Sequence, residues 1–301
     1  MRISVWLTTY NSERYIAAAI DSVLAQTRPA SEIVICDDGS SDGTRELLTA
    51  YANRHPGLFR IEFNERNLGI TPNKTKVAGL CTGDLVTWLD ADDRFLPRKL
   101  ELESDALLTH SDAGFAFSNV RLVDSDGTPL SEWDFSRAFG AGGPVPRDTL
   151  VGALLRPSRF TAHLRNELVH RCLIPTPAFD PRIRLWQDWD ARVSLAIEHP
   201  GIYVPETLQE YRRTDESCSV THTVASLEDM VYAAEKFHDT IAALPPDAAT
   251  KSRWDFVQIS LQKYRELGQV SRRDAARARR ALARLAFRHP RIFAHFYFRP
   301  S

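Results

Sequence analysis

The first 110 residues alternate between two hydrophobic periods, that of a strand and that of a helix. Ile3, Val5 and Leu7 alternate with Arg2, Ser4 and Trp6 and predict a strand. Ile16, Ile20, Val23 and Leu24 then recur at helical spacing, with Asn11 as the expected cap. Glu32-Ile33-Val34-Ile35-Cys36 is a short, nearly all-apolar run and so a buried strand. It closes in Asp37-Asp38-Gly39-Ser40-Ser41-Asp42-Gly43, after which Leu47, Leu48 and Tyr51 line a second helix. Arg60 to Phe63 and Leu85 to Leu89 read as further strands, with a helix over Thr71 to Leu80 between them. Pro97 suits the first turn of a helix reaching about His110. Alternation of this kind predicts an α/β fold, with a central, mostly parallel sheet flanked by helices and ligands bound beyond the carboxyl ends of the strands.

Beyond Phe115 the pattern loosens. Phe115-Ala116-Phe117 and Ile202 to Val204 read as strands, residues 139–146 as loop, and a helix opens near Asp188. From about Val224 the chain reads as helical throughout. Its last part sets Arg272, Arg273, Arg277, Arg279, Arg280, Arg284 and Arg288 among alanines and leucines and ends in aromatic residues. Such a segment suits either an anionic membrane surface or packing on the rest of the chain with its arginines solvated.

Composition adds exclusions. The 301 residues carry 38 basic and 39 acidic side chains, so no overall field favours nucleic acid as a partner. Cys36, Cys81, Cys172 and Cys218 are far apart and form no C-x-x-C pair, which argues against a zinc site and for a reducing compartment. The apolar run at the N-terminus is too short for a signal peptide, so the expected location is cytoplasmic.

Two acidic clusters follow predicted strands. At Asp37-Asp38 the neighbours are small and turn-forming, so a ligand can approach closely, although a polar turn bonding its own backbone fits the same residues. Asp90-Ala91-Asp92-Asp93 crowds three carboxylates, whose repulsion calls for a cation. A divalent ion bridging carboxylate to phosphate is the economical one, while Asp93 also suits a helix cap. Asp188, between Trp186 and Trp189, suits either a general base with raised proton affinity or another cap. Arg212 and Arg213 suit a leaving diphosphate or a solvated surface.

Taken in order, Thr8-Thr9-Tyr10-Asn11, Asp37-Asp38-Gly39-Ser40, Asn67-Leu68-Gly69, Leu89-Asp90-Ala91-Asp92-Asp93 and Gln187-Asp188-Trp189-Asp190 resemble the motifs of family 2 glycosyltransferases. The match is dense from residue 2 to about residue 100. The resemblance implies a GT-A nucleotide-sugar-binding fold over 1–220, with a nucleotide-binding half (1–110), an acceptor-binding half (111–220) and a helical, basic C-terminal extension over 221–301. It implies an inverting transferase that moves a sugar from a nucleotide-diphosphate donor to an acceptor hydroxyl, saccharide or lipid-linked, in bacterial surface polysaccharide or glycolipid synthesis. Thr8, Tyr10, Glu13, Asp38, Lys74, Asp90, Arg212 and Arg213 would bind the donor, Asp92 and Asp93 would hold Mn2+ or Mg2+, and Asp188 would be the catalytic base. The enzyme would be cytoplasmic, with peripheral contact at the inner face of the membrane through its C-terminal helix. Two departures stand out: Gln187 replaces the usual glutamate before the base, and Lys74 stands in the register of a common arginine. A sugar nucleotidyltransferase is disfavoured because Thr8 to Glu13 holds no glycine-rich phosphate loop, and a dehydrogenase because no G-x-G-x-x-G follows the first strand. A non-catalytic sugar- or nucleotide-binding module remains the alternative.

Overall fold

The alternating start of the chain forms β1 (Ile3–Thr9), which pairs in parallel with β2 (Glu32–Asp37) on one side and β4 (Leu85–Asp90) on the other. The computed structural model describes residues 1–157, 164–213, 223–265, 272–288 and 290. Between these strands lie α1 (Ile16–Leu24), α2 (Thr44–Arg54), β3 (Phe59–Phe63) and α3 (Ile70–Ala78). After them come β5 (Arg94–Phe95), α4 (Lys99–Thr109), β6 (Phe115–Val123), β7 (Pro129–Trp133), α5 (Ser136–Phe139), β8 (Gly143–Val145), α6 (Arg147–Leu154) and β9 (Leu168–His170). The chain continues through α7 (Gln187–Glu198) and β10 (Gly201–Arg212) into four helices: α8 (Thr223–Lys236), α9 (His238–Ala243), α10 (Pro246–Arg265) and α11 (Arg272–Arg288).

The sheet runs β3-β2-β1-β4-β9-β6-β10-β5, with β7 beside β6 and β8 beside β10. Strands β3, β2, β1 and β4 are parallel, and so are β6 and β10, whereas β9, β5, β7 and β8 join antiparallel. The sheet is therefore mixed beyond β4. Burial on both faces explains the continuous apolar run of β2: Ile33 and Ile35 pack with α1 and α2, while Val34 and Cys36 pack with Val77 and Ala78 of α3.

Several local expectations change. Asn11 does not cap α1. Its backbone adopts φ 49° and its carboxamide oxygen accepts from the Ser41 N–H at 2.9 Å, while the Ser12 carbonyl closes the turn that leads into the helix. Pro97 stands just ahead of α4 rather than inside it. The stretch read as loop holds β8, because Gly143 to Val145 pairs with the start of β10. β10 itself runs well past Val204, through two register shifts, to Arg212.

The C-terminal helices share a core with the sheet. Phe115, Leu150 and Trp189 belong to one buried cluster with Leu227, Phe256, Leu282 and Leu285, and each such side chain contributes about 1.5–3 kcal/mol of burial. α11 turns Ala278, Ala281, Leu282 and Leu285 inward and leaves Arg279, Arg280, Arg284 and Phe287 exposed. No helix among the described residues is long and apolar enough to cross a membrane. The aromatic end, Ser217 and Cys218 lie outside the described residues.

Candidate functional site

The parallel register brings the predicted residues to one edge of the sheet. Thr8 of β1 lies opposite Asp90 of β4 and beside Cys36 of β2, so the Asp37-Asp38 turn and the acidic turn after β4 flank the end of β1. Tyr10 is half exposed at this rim.

At the β2 end both aspartates serve the protein's own structure. Asp37 is fully buried and accepts from Arg45 Nε at 2.7 Å and from the Ser40 N–H at 3.1 Å. Asp38 accepts from Asn64 Nδ2 at 2.9 Å and from the N–H groups of Leu68 and Gly69 at 2.8 and 3.0 Å. It thereby ties β2 to the loop before α3. Glu13 accepts from the Gly43 N–H at 2.9 Å and its own N–H donates to Asp42, which fixes the β1–α1 loop to the start of α2. These bonds fix the shape of the β2 end of the edge and leave Thr8 partly and Tyr10 half exposed there.

The acidic turn is neutralised from within. Lys74 Nζ lies 2.9 Å from one oxygen of Asp90, and Arg165 Nη2 donates to the other at 2.7 Å. Asp93 is buried; it accepts from the Arg212 N–H at 2.8 Å and meets Arg165 Nη2 at 3.3 Å. The alternative of Asp93 as a helix cap is thus not realised. Burial opposes the charge on Asp90, but Lys74 and Arg165 outweigh it and hold that carboxyl below the usual range. Burial and the charge of Asp90 push the Asp92 carboxyl up, and burial above all pushes Asp93 well up, against the pull of Arg165. Burial likewise opposes the charge on Lys74, yet Asp90 and Asp188 leave its pKa raised.

Among the described residues no side chain bonds the Asp92 carboxylate, and no group of three or more His, Cys, Asp or Glu could hold an ion unaided. A partly buried carboxylate without a side-chain partner among the described residues fits a magnesium or manganese ion that draws its remaining ligands from a diphosphate. Asp93, with both oxygens engaged, is placed to orient the turn.

Asp188 sits in the first turn of α7 and accepts from the Trp189 N–H at 2.8 Å. The indoles of Trp186 and Trp189 are engaged with other partners. They pack on each other edge to face at 6.0 Å, with Trp189 donating to the Leu154 carbonyl and Trp186 to Ser226 Oγ. The charged neighbours of Asp188 are instead Lys74 and Arg165, whose cationic forms it helps to stabilise. Gln187 is buried, and its carbonyl oxygen has no partner among the described residues. Arg212 spends its guanidinium on the backbone carbonyls of Asp92, Asp124 and Ser125, and it lies over the Tyr15 ring at 5.0 Å. The Arg213 side chain is exposed.

Pairing of β5 with β10 explains how residues 92–93 reach Arg212, since Arg94 stands opposite Glu210. Arg165 is the residue that sequence reasoning missed. It lies in an irregular stretch before β9, outside any motif, and only the tertiary arrangement brings it to the acidic turn.

Residues 4–134 match the sequence model described as "Glycosyl transferase family 2". Over 261 residues the chain is 30% identical to the "Putative teichuronic acid biosynthesis glycosyltransferase TuaG" of Bacillus subtilis, covering 86% of this chain and 94% of that one. By contrast it spans 58% of the length of three mycobacterial relatives to which it is 31% identical. Among solved structures, S. aureus TarS 1-349 in complex with UDP-GlcNAc superposes with a TM-score of 0.68 at 17% identity, over 97% of this chain and 83% of that one. The mannosyltransferase PcManGT of Pyrobaculum calidifontis, in complex with GDP-Man and Mn2+, gives 0.57 at 18% identity, over 96% and 81%. At such identities these likenesses establish the fold.

Proposed function

The chain belongs to glycosyl transferase family 2 and has its GT-A fold, and on that footing we propose that it is an inverting transferase of bacterial surface polysaccharide or glycolipid synthesis. The observation that carries this reading is the convergence of Asp90, Lys74, Arg165 and Asp188 at the carboxyl edge of the sheet, beside an Asp92 that no side chain among the described residues engages. The similarity to TuaG supports the polysaccharide context.

In this reading Thr8, Tyr10 and the turn held by Asp38 receive the nucleoside, with Glu13 bracing the turn beside it. Mn2+ or Mg2+ held by Asp92, with Asp93 orienting the turn, would offset the charge of the diphosphate and of the leaving group. Lys74 and Arg165 add fixed positive charge on the same side. Arg212 keeps the acidic turn and β10 together, and Arg213 at the rim is free to meet the donor from outside. Asp188 takes the proton from the acceptor hydroxyl as that oxygen bonds to the anomeric carbon from the face opposite the departing diphosphate. The bond from that carbon to the diphosphate breaks, its electron pair leaves with the diphosphate, and the configuration inverts. No covalent intermediate is needed.

Residues 1–220 act as the catalytic unit in this proposal and 221–301 as its helical extension. The exposed Arg279, Arg280 and Arg284 would rest on the anionic inner face of the cell membrane, beside a lipid-linked or saccharide acceptor. Such an enzyme works in the cytoplasm and needs no nucleic acid.

The test is Asp188→Asn with UDP-, GDP- and dTDP-sugars supplied in turn with Mn2+. Transfer should fall by about 10²–10⁴-fold, while donor-dependent thermal stabilisation stays as in the parent. Undiminished transfer would remove Asp188 as the base, and absence of stabilisation by any donor in the parent would remove the donor reading itself.

A further inference from the structure

We propose that Arg165 is a resident counter-cation of the acidic turn, which reserves Asp92 for a divalent ion arriving with the donor diphosphate and denies the site to the ion alone. The inference rests on the donor reading above and concerns how this chain makes metal uptake conditional.

Three carboxylates in four residues would by themselves attract any divalent cation. Here two of the three are already occupied. Asp90 gives one oxygen to Lys74 and the other to Arg165, and Asp93 gives one to the Arg212 N–H and the other to Arg165. A single Nη2 atom of Arg165 thus bridges Asp90 and Asp93 and, among the described residues, leaves the carboxylate of Asp92 as the one of the three without a bonded side chain.

The bridge is held from outside the turn. The Arg165 guanidinium lies 4.1 Å above the ring of Tyr211, its side chain is 18% exposed, and its carbonyl accepts from Gln209 Nε2 at 2.8 Å. Both supporting residues stand on β10, the strand that also supplies the Arg212 N–H. Arg165 is therefore held at the turn in part by contacts that do not depend on the carboxylates. Its buried Nε has no partner among the described residues, so the guanidinium is placed by stacking and by the acids rather than by a full set of hydrogen bonds.

An ion approaching without nucleotide finds one carboxylate and a guanidinium beside it. Magnesium and manganese need more oxygen ligands than that, and the fixed positive charge adds repulsion. An ion already carried on a diphosphate brings the missing oxygens and offsets the repulsion with their charge.

The experiment is a Mn2+ titration of the full chain, alone and with UDP, GDP and dTDP in turn, read as free Mn2+ by electron paramagnetic resonance. In the parent, uptake should be weak alone and at least about tenfold tighter with one of the nucleotides. In Arg165→Met the uptake without nucleotide should tighten about tenfold, because Asp90 and Asp93 regain free oxygens and lose the neighbouring charge. Arg165→Lys, which keeps the charge, should retain the parent's dependence. If the methionine variant loses its circular dichroism signature, Arg165→Gln, which keeps hydrogen-bond donors and much of the volume, carries the same expectation. Folded charge-deleted variants that need nucleotide as much as the parent does would overturn the inference alone. A parent that takes up Mn2+ with none of the nucleotides would overturn the donor reading and this inference with it.

Discussion

Lys236 Nζ lies 2.6 Å from both carboxylate oxygens of Asp190. Asp190 is almost wholly buried and stands two residues after Asp188 in α7, whereas Lys236 ends α8. The segment leading into α7 is held by Asp229 of α8, whose carboxylate accepts from the N–H groups of Arg184 and Leu185 at 3.0 and 2.8 Å. The helix that presents the proposed base is thus positioned by the C-terminal helices.

Lys236→Met should therefore lower both stability and turnover. A buried carboxylate that loses its cation costs about 3–5 kcal/mol, and because Lys236 is a quarter exposed the lower part of that range applies. Urea unfolding gives the first quantity and kcat against KM the second, with the loss expected in kcat. Adding Asp190→Leu to the same chain should restore much of the stability, since it removes the stranded charge. An unchanged unfolding midpoint in Lys236→Met would show that the pair holds nothing.

Gly69 adopts φ 90° and ψ 166°, a conformation open to glycine and almost to no other residue. Its N–H donates to Asp38 and to Asn67, and an added Cβ would meet nothing within 4 Å. Gly69→Ala thus isolates backbone strain from crowding. The expected loss is about 1–3 kcal/mol in urea unfolding, accompanied by weaker nucleotide binding because the loop held by Asp38 must shift. A loss below the error of the fit would mean that the loop relaxes freely.

Asp180 should shape the acid limb of stability. The Arg182 guanidinium grips both its oxygens at 2.9 Å, and Tyr232 and Lys236 add to this, so its carboxyl is held well below the usual carboxylate range. A depressed folded-state pKa gives stability that is complete above the unfolded value of about 4 and is lost as pH falls towards the folded value. The stability difference between the parent and Asp180→Asn should therefore be constant from neutral pH to about 5 and shrink below about 4. Parallel curves down to the most acid point would rule out this linkage.

The N-terminal half of the fold was legible because its signals are local. The apolar run from Ile33 to Cys36 is short enough to mark a doubly buried strand rather than a helix, and the carboxylates after it and after Leu89 mark strand ends. The chemistry of the acidic turn was legible only in part. Its three charges were visible and so was their need for a cation, yet Arg165 lies 72 residues beyond Asp93 in sequence and meets it through strand pairing that no short window encodes. β5 and β9 are two and three residues long, too short to show a period, and both exist because longer neighbours bind them. Asn11 failed as a cap because its side chain found a better partner in Ser41, a contact between two loops.

The core shared by sheet and C-terminal helices limits how such an enzyme can be rebuilt. Trp189 follows the proposed base directly, and its ring meets Phe237 and Phe256 at 5.8 and 5.9 Å. A hybrid that takes residues 221–301 from a relative with another acceptor would inherit a mismatched wall behind α7, and would fail in rate before it failed in recognition. Exchange of acceptor preference in this architecture has to move α7 and the tail together, as one hereditary unit.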